Sequence, residues 1–253
     1  MSGLRTATSL LTRIPVGGEP NGDRDLARSV PWLPVVGGLV GLVVAAAYVA
    51  LRSALPQDLA AAIAVVAGIV TTGALHEDGL ADTLDALAGG KTIEERIAIL
   101  GDPRHGTFGV VAIAVSVVVR ILAIGDLDGR SALVVVPTAH GLARAAAALL
   151  LVVRPARDQG LGAAFGRAMG LRHVLGAAVA GVTIAVVTFG IWSAAAIAVG
   201  GTVAWFAALV SSRRVGGITG DVLGAVEQTV EVGLLLLGVA LVDRRLLVVP
   251  WWR

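Results

Sequence analysis

Long apolar runs separated by short polar loops dominate this chain. A helix needs about 17 to 25 mostly apolar residues to cross a bilayer, and runs of that kind lie at residues 34–51, 59–75, 108–124, 132–153, 174–192 and 194–209. A seventh run, 222–242, is interrupted by Glu227 and Glu231, and Asp243, Arg244 and Arg245 then divide it from a short apolar tail at 246–252. The pattern predicts an all-α, polytopic transmembrane helix bundle with six to seven spans. No internal repeat is visible and only residues 15–25 read as a linker, so residues 1–253 form one integral membrane domain.

Composition agrees. The 253 residues are 56% hydrophobic and 15% charged, with a mean hydropathy of +0.85, which excludes an ordinary soluble domain. No cysteine is present, so disulfides and thiolate metal sites are excluded. The net charge of +2 is carried by loops, and nothing points to nucleic acid. The early residues lack an apolar stretch followed by a cleavage site, so a signal peptide is not expected.

The loops set an orientation. Basic residues gather in the amino-terminal segment (Arg5, Arg13, Arg24, Arg28) and in loops 89–104, 154–172 and 213–214, whereas the alternate loops offer Arg52 and Arg130. Lys and Arg favour the cytoplasmic side. The amino terminus and the loop after the second span are therefore expected to be cytoplasmic, in a multi-pass protein of the cell (inner or plasma) membrane. Arg244, Arg245 and Arg253 fit only if the last segment is re-entrant or interfacial.

The chemistry concentrates behind the second run, in Gly73-Ala-Leu-His-Glu-Asp-Gly-Leu-Ala-Asp-Thr-Leu-Asp85. On a helix Asp78, Asp82 and Asp85 fall at i, i+4 and i+7, on one stripe. Three converging carboxylates repel one another unless a cation sits between them, and an all-oxygen set suits Mg²⁺ or Mn²⁺ held jointly with substrate phosphates. Glu77 adds a fourth carboxylate. The run Gly101-Asp102-Pro103-Arg104-His105-Gly106-Thr107-Phe108-Gly109 follows, and its mixture of Asp102, cationic or donor groups and glycines suits phosphate recognition. Arg13 adds a cation on the same predicted side. Further on, the Gly-rich turn 216–221 ends in Thr219 and Asp221, with Asp221 able to complete a metal shell. Glu227 and Glu231 lie inside a span, where carboxylates are costly and tend to be functional.

Plainer readings compete at each position. Acidic residues after a span usually form a solvated loop, and His76 and His105 also fit as caps or loop donors. Arg120 and Arg144 either snorkel or pair within the bundle, with His140 one turn from Arg144 on the same face. Gly37, Gly38, Gly41, Gly200 and Gly201 read as close helix packing.

Taken together, His76-Glu-Asp-Gly-Leu-Ala-Asp-Thr-Leu-Asp85, Gly89-Gly90, Gly101–Gly109, 217–225 and the early Thr12-Arg13-Ile14-Pro15 resemble the signatures of the cobalamin synthase family, also called adenosylcobinamide-GDP ribazoletransferases. The order is kept along nearly the whole chain. One departure is Ala86, where the family usually has Gly. The resemblance implies a transferase that joins α-ribazole, or its 5′-phosphate, to adenosylcobinamide-GDP with release of GMP. It implies Mg²⁺ at Glu77, Asp78, Asp82, Asp85 and Asp102, with Asp82, Asp85 and Asp102 catalytic and Asp85 the guess for a general base. Arg13, His76, Arg104, Thr219 and Asp221 would bind substrate. The expected partners are these two substrates and the lipid bilayer; a homo-oligomer also fits.

Two rivals belong to other classes. CDP-alcohol phosphotransferases also cluster Asp at a membrane surface, but their pattern needs Ala-Arg where Ala81 is followed by Asp82. A cation-coupled transporter would place its carboxylates near the midplane, so the depth of the acidic cluster separates the readings.

Overall fold

A computed structural model of the chain describes residues 2–17 and 22–247. Among these residues the secondary structure is helical, with one isolated bridge between Pro155 and Ile218. The amino-terminal part contains α1 (Gly3–Leu11), α2 (Asp23–Ser29), α3 (Leu33–Leu51) and α4 (Gln57–Thr72). Short polar helices α5 (Leu75–Gly89) and α6 (Ile93–Ile99) lead into α7 (Thr107–Gly125) and α8 (Gly129–Leu149). The chain ends with α9 (Leu161–Ala168), α10 (Leu171–Phe189), α11 (Ser193–Arg214) and α12 (Gly220–Asp243). The apolar tail read at 246–252 falls almost wholly outside the described residues, as does Arg253.

Among the described residues, five helical runs are long and apolar enough to cross a membrane, or six if α4 and α5 form one broken span. One of the five, Leu171–Arg214, is two helices. Gly190 adopts φ +53° between them, and both Gly181 of α10 and Gly200 of α11 face Leu142 and its neighbours on α8. The chain therefore doubles back at Gly190, as the two separate apolar runs predict.

The bundle is built around α8, 15 of whose 21 residues are buried, because its small side chains let neighbours approach. A Cβ at Gly41 of α3 would stand 2.7 Å from the Pro137 Cα and 2.8 Å from the Val136 carbonyl oxygen, so only glycine permits this crossing. At one end of the bundle the Tyr48 hydroxyl donates to the carbonyl oxygens of Gly125 and Leu127, at 3.1 and 2.8 Å. At the other end the basic loops meet. The Arg13 amide donates to the Thr71 carbonyl at 2.8 Å, Arg96 donates to the Arg214 carbonyl at 3.1 Å and Arg157 to that of Ile97 at 2.6 Å. The loops grouped by their Lys and Arg content thus share one end of the fold.

The second apolar run departs from the expected straight span. Gly73 and Ala74 are both left-handed, at φ +66° and +59°, and α5 leaves α4 at 88°. Gly73 takes this conformation at no steric cost, whereas Ala74 costs about 1–2 kcal/mol. The Arg13 side chain lies over Gly73 where a Cβ would otherwise stand. The turn carries the acidic helix off the crossing direction, and we read α5 as lying outside the spans.

Candidate active site

Helix α5 is held in place by a close crossing with α12. A Cβ at Gly79 would stand 2.8 Å from the Asp221 carbonyl oxygen and 3.2 Å from the Gly224 Cα, and one at Gly224 would stand 3.3 Å from the His76 Cα. Two glycines therefore bring the start of α12, far along the chain, beside the acidic stripe.

Asp78 and Asp82 face the loop before α7. His105 reaches between them, its Nε2 3.6 Å from an Asp78 oxygen and its Nδ1 3.2 Å from an Asp82 oxygen. One ligand atom from each of the three lies within 4.8 Å of the others, close enough to bind one ion. Burial, then the Asp78 and Asp221 charges, push the Asp82 carboxyl up to about 6. A carboxyl raised by neighbouring like charge marks a place where a cation is favoured.

Asp85 does something different from the base the sequence suggested. Its Oδ2 accepts from the Gly106 amide at 2.6 Å and its Oδ1 from the Gly109 amide at 2.9 Å. Both oxygens thus satisfy amides at the start of α7, which a helix leaves without intrahelical partners. Asp85 anchors the loop that carries His105. Asp102 is likewise committed: its oxygens accept from Arg104 Nε and Nη2 at 2.9 and 2.7 Å, and this guanidinium holds the carboxyl down at about 2. Arg104 is itself 85% exposed, so the pair faces solvent and stands apart from the Asp78, Asp82 and His105 group. Arg13 remains at the α4–α5 turn.

Glu77 points the other way. One residue along a helix is a rotation of about 100°, which takes it from the exposed stripe into the bundle, where it accepts from Arg120 at 2.8 Å. Arg120 also pairs with Glu231 at 3.3 Å. His140 Nδ1 lies 3.0 Å from Glu231, Arg144 pairs with Glu227 at 2.5 Å, and His76 Nδ1 is 3.7 Å from Glu227. Gln228 bridges Glu77 at 3.4 Å and takes a bond from Ser116 at 2.9 Å. All of these side chains are buried. Three carboxylates face two guanidiniums and two imidazoles, so each buried acid has a basic partner, as buried charges require. The carboxylates inside the span are thus engaged by partners within the bundle.

A cavity of about 320 Å³ adjoins both groups. Its lining includes Asp78, Thr219 and Asp221, His76, Arg144 and Glu227, Arg157, and leucines of α1, alanines of α8 and Phe165 of α9. Thr219 caps α12, its hydroxyl accepting from the Val222 amide at 3.3 Å. The structure therefore brings His76, Asp78, Asp82, Thr219 and Asp221 around one region and leaves Glu77, Asp85 and Asp102 with other partners. His105, visible in the Gly-rich 101–109 run, was read as a phosphate donor or a loop donor and not as a partner of Asp78 and Asp82. Arg157 and Phe165 carried no motif at all.

The fold and site define a class: an all-α polytopic membrane protein with a carboxylate and histidine cluster at one end of its bundle. The cobalamin-5-phosphate synthase family matches residues 3–240, and the chain belongs to that family. It is 40% identical over 245 residues to an adenosylcobinamide-GDP ribazoletransferase of Bradyrhizobium diazoefficiens, covering 94% of this chain and 93% of that one. The protein of the same name from Xanthobacter autotrophicus is 44% identical over 229 residues, covering 87% and 85%, and that of Chlorobaculum tepidum 37% over 247, covering 94% of each. No solved structure matches.

Proposed function

We propose that this protein is a transferase that joins α-ribazole, or α-ribazole 5′-phosphate, to adenosylcobinamide-GDP and releases GMP. Family membership supports the substrates. The observation that carries the placement of the reaction is the Asp78, Asp82 and His105 group, which shares Asp78 with a ligand-sized cavity.

In the transfer, a ribose hydroxyl oxygen forms a bond to the phosphorus borne by the cobinamide. The bond from that phosphorus to the oxygen bridging to GMP breaks, and GMP leaves with the electron pair. A family named for a 5-phosphate product keeps the 5′ position out of the new linkage, so a hydroxyl attacks with either acceptor and its proton needs a base. Asp221, on the cavity wall beside Asp78, is better placed for that proton than the doubly bonded Asp85. Arg13 and His105 offer donors to the phosphates.

The donor set fits Mg²⁺, since Asp78 and Asp82, with Asp221 close by, supply carboxylate oxygens and the diphosphate supplies more. When bound, the ion would neutralise charge on the reacting phosphates. Asp82→Asn should lower turnover by at least about 100-fold while the protein still inserts. Product analysis of purified protein in lipid, with both substrates and Mg²⁺ and then with chelator, checks this. No corrinoid product, or full activity in chelator, refutes the reading.

We further place the protein in the cell inner membrane with this end of the bundle cytoplasmic, on the strength of the basic loops that meet there. The chain has no cysteine, so single cysteines at exposed Lys91 and Arg130 report the two ends. An impermeant thiol reagent should reach Arg130→Cys from outside and Lys91→Cys only after the cytoplasmic face is opened; the reverse pattern overturns the orientation.

A further inference from the structure

We propose that the cavity beside Asp78 and Asp221 is the seat of the nucleoside acceptor, and that the corrinoid nucleotide stays outside it, on the α5 and α7 side of the carboxylates. The inference rests on the transfer reading above and assigns its two substrates to separate places.

Size is the first argument. Ligand cavities run from about 300 to 1,000 Å³, and this one, at about 320 Å³, is near the lower bound. A riboside of a flat bicyclic base has about twenty non-hydrogen atoms and suits a cavity of that class. A corrin macrocycle carrying a nucleotide is several times larger and does not.

The second argument is the distribution of polarity. Helix α8 presents Arg144, Ala147 and Ala148 to the cavity, at i, i+3 and i+4 on one face, and Leu151 in the turn that follows joins them. The two alanines leave a shallow wall, and Phe165, 4% exposed, contributes an aromatic ring to the lining. An apolar slot of this kind takes a flat base by ring packing. His76, Asp78, Arg144, Arg157, Asp221 and Glu227 add polar groups to the same lining. His76 and Arg144 both line the cavity and carry N–H groups, which suit the acceptor nitrogen of a benzimidazole-type ring. Asp78, Thr219 and Asp221 stand where the sugar hydroxyls of such a ligand would be held.

The third argument is reach. Asp78 belongs both to the cavity wall and to the group with Asp82 and His105. A hydroxyl held at that wall therefore meets phosphates bound on the far side of Asp78 without either substrate crossing the other's place. Holding two reactants in separate, adjoining sites is what turns a two-substrate encounter into an oriented one.

Ala147 tests this, because it is half-buried, lines the cavity and takes part in neither charged group. In the cysteine-free chain, Ala147→Cys changes little volume. Labelling of that thiol by N-ethylmaleimide should slow at least about tenfold in saturating α-ribazole and not in adenosylcobinamide-GDP. Independently, Ala147→Phe should raise KM for α-ribazole at least about tenfold and leave KM for adenosylcobinamide-GDP unchanged. Protection by the corrinoid substrate, by both substrates or by neither overturns the assignment, as does a KM effect on the corrinoid or on neither substrate. Should the Phe variant fail to fold, the thiol measurement decides; should the thiol not react without ligand, the kinetics decide. Product formation by the unsubstituted protein is scored separately. Its absence refutes the transfer reading, whereas product formation with an unprotected Ala147→Cys refutes only the cavity assignment.

Discussion

Removing Arg120 tests whether the buried charges are one network. Arg120 is 4% exposed and is shared by Glu77, 4% exposed, and Glu231, 1% exposed, through bonds of 2.8 and 3.3 Å. Arg120→Met keeps most of the stem and deletes the charge, so two carboxylates lose their common partner in a place water does not reach. Breaking a buried pair from one side costs about 3–5 kcal/mol. Removing the stranded charge as well, in Arg120→Met with Glu77→Gln, should return at least about 1 kcal/mol of that loss, a coupling within the range for residues in one network. Unfolding of the four proteins of the cycle in mixed micelles gives the coupling directly. Arg120→Met within about 0.5 kcal/mol of the parent, or strictly additive effects, would show that water or lipid headgroups already screen these charges. The same set settles the role of Glu77: Glu77→Gln alone should leave the Mg²⁺ dependence of turnover unchanged, since its partner is Arg120 and not the Asp78 and Asp82 group.

Two further outcomes are expected. Because Asp82 must lose its proton to bind a cation and its carboxyl sits at about 6, apparent Mg²⁺ affinity should be flat above that value and weaken about tenfold per pH unit below it; a Mg²⁺ titration series across pH 5 to about 8 showing no such dependence would remove Asp82 from the ligand set. Gly79→Val should force α5 away from Asp221, costing about 1–3 kcal/mol and lowering turnover through the displaced Asp78, whereas Gly89→Ala, whose Cβ would meet only the flexible end of Ile99 at 3.4 Å, should do neither; thermal unfolding and turnover of the two variants check this.

The sequence by itself settles what is local. Apolar length alone marks where helices cross, so the runs at 34–51, 108–124, 132–153 and 222–242 correspond closely to α3, α7, α8 and α12. The run of motifs along the chain likewise carries the family. What the sequence could not give is which face each charge takes and whom it meets there. Asp78 and Glu77 are neighbours in the chain, yet one joins Asp82 and His105 and the other joins Arg120, because a single residue turns a side chain through about 100°. Asp85 falls on the predicted stripe, but the start of α7 claims both its oxygens, and no spacing within α5 reveals that. Gly73 and Ala74 open the acidic stretch with no sign in the sequence of a sharp turn; their left-handed backbone, with Arg13 lying over Gly73, turns the acidic helix through 88°. The cavity is the furthest from the sequence, since its walls come from α1, α5, α8, α9 and α12 and exist only once the Gly79 and Gly224 crossing draws distant segments together. Helix length is fixed by neighbours along the chain, whereas partners and cavities are fixed by packing between residues far apart in it.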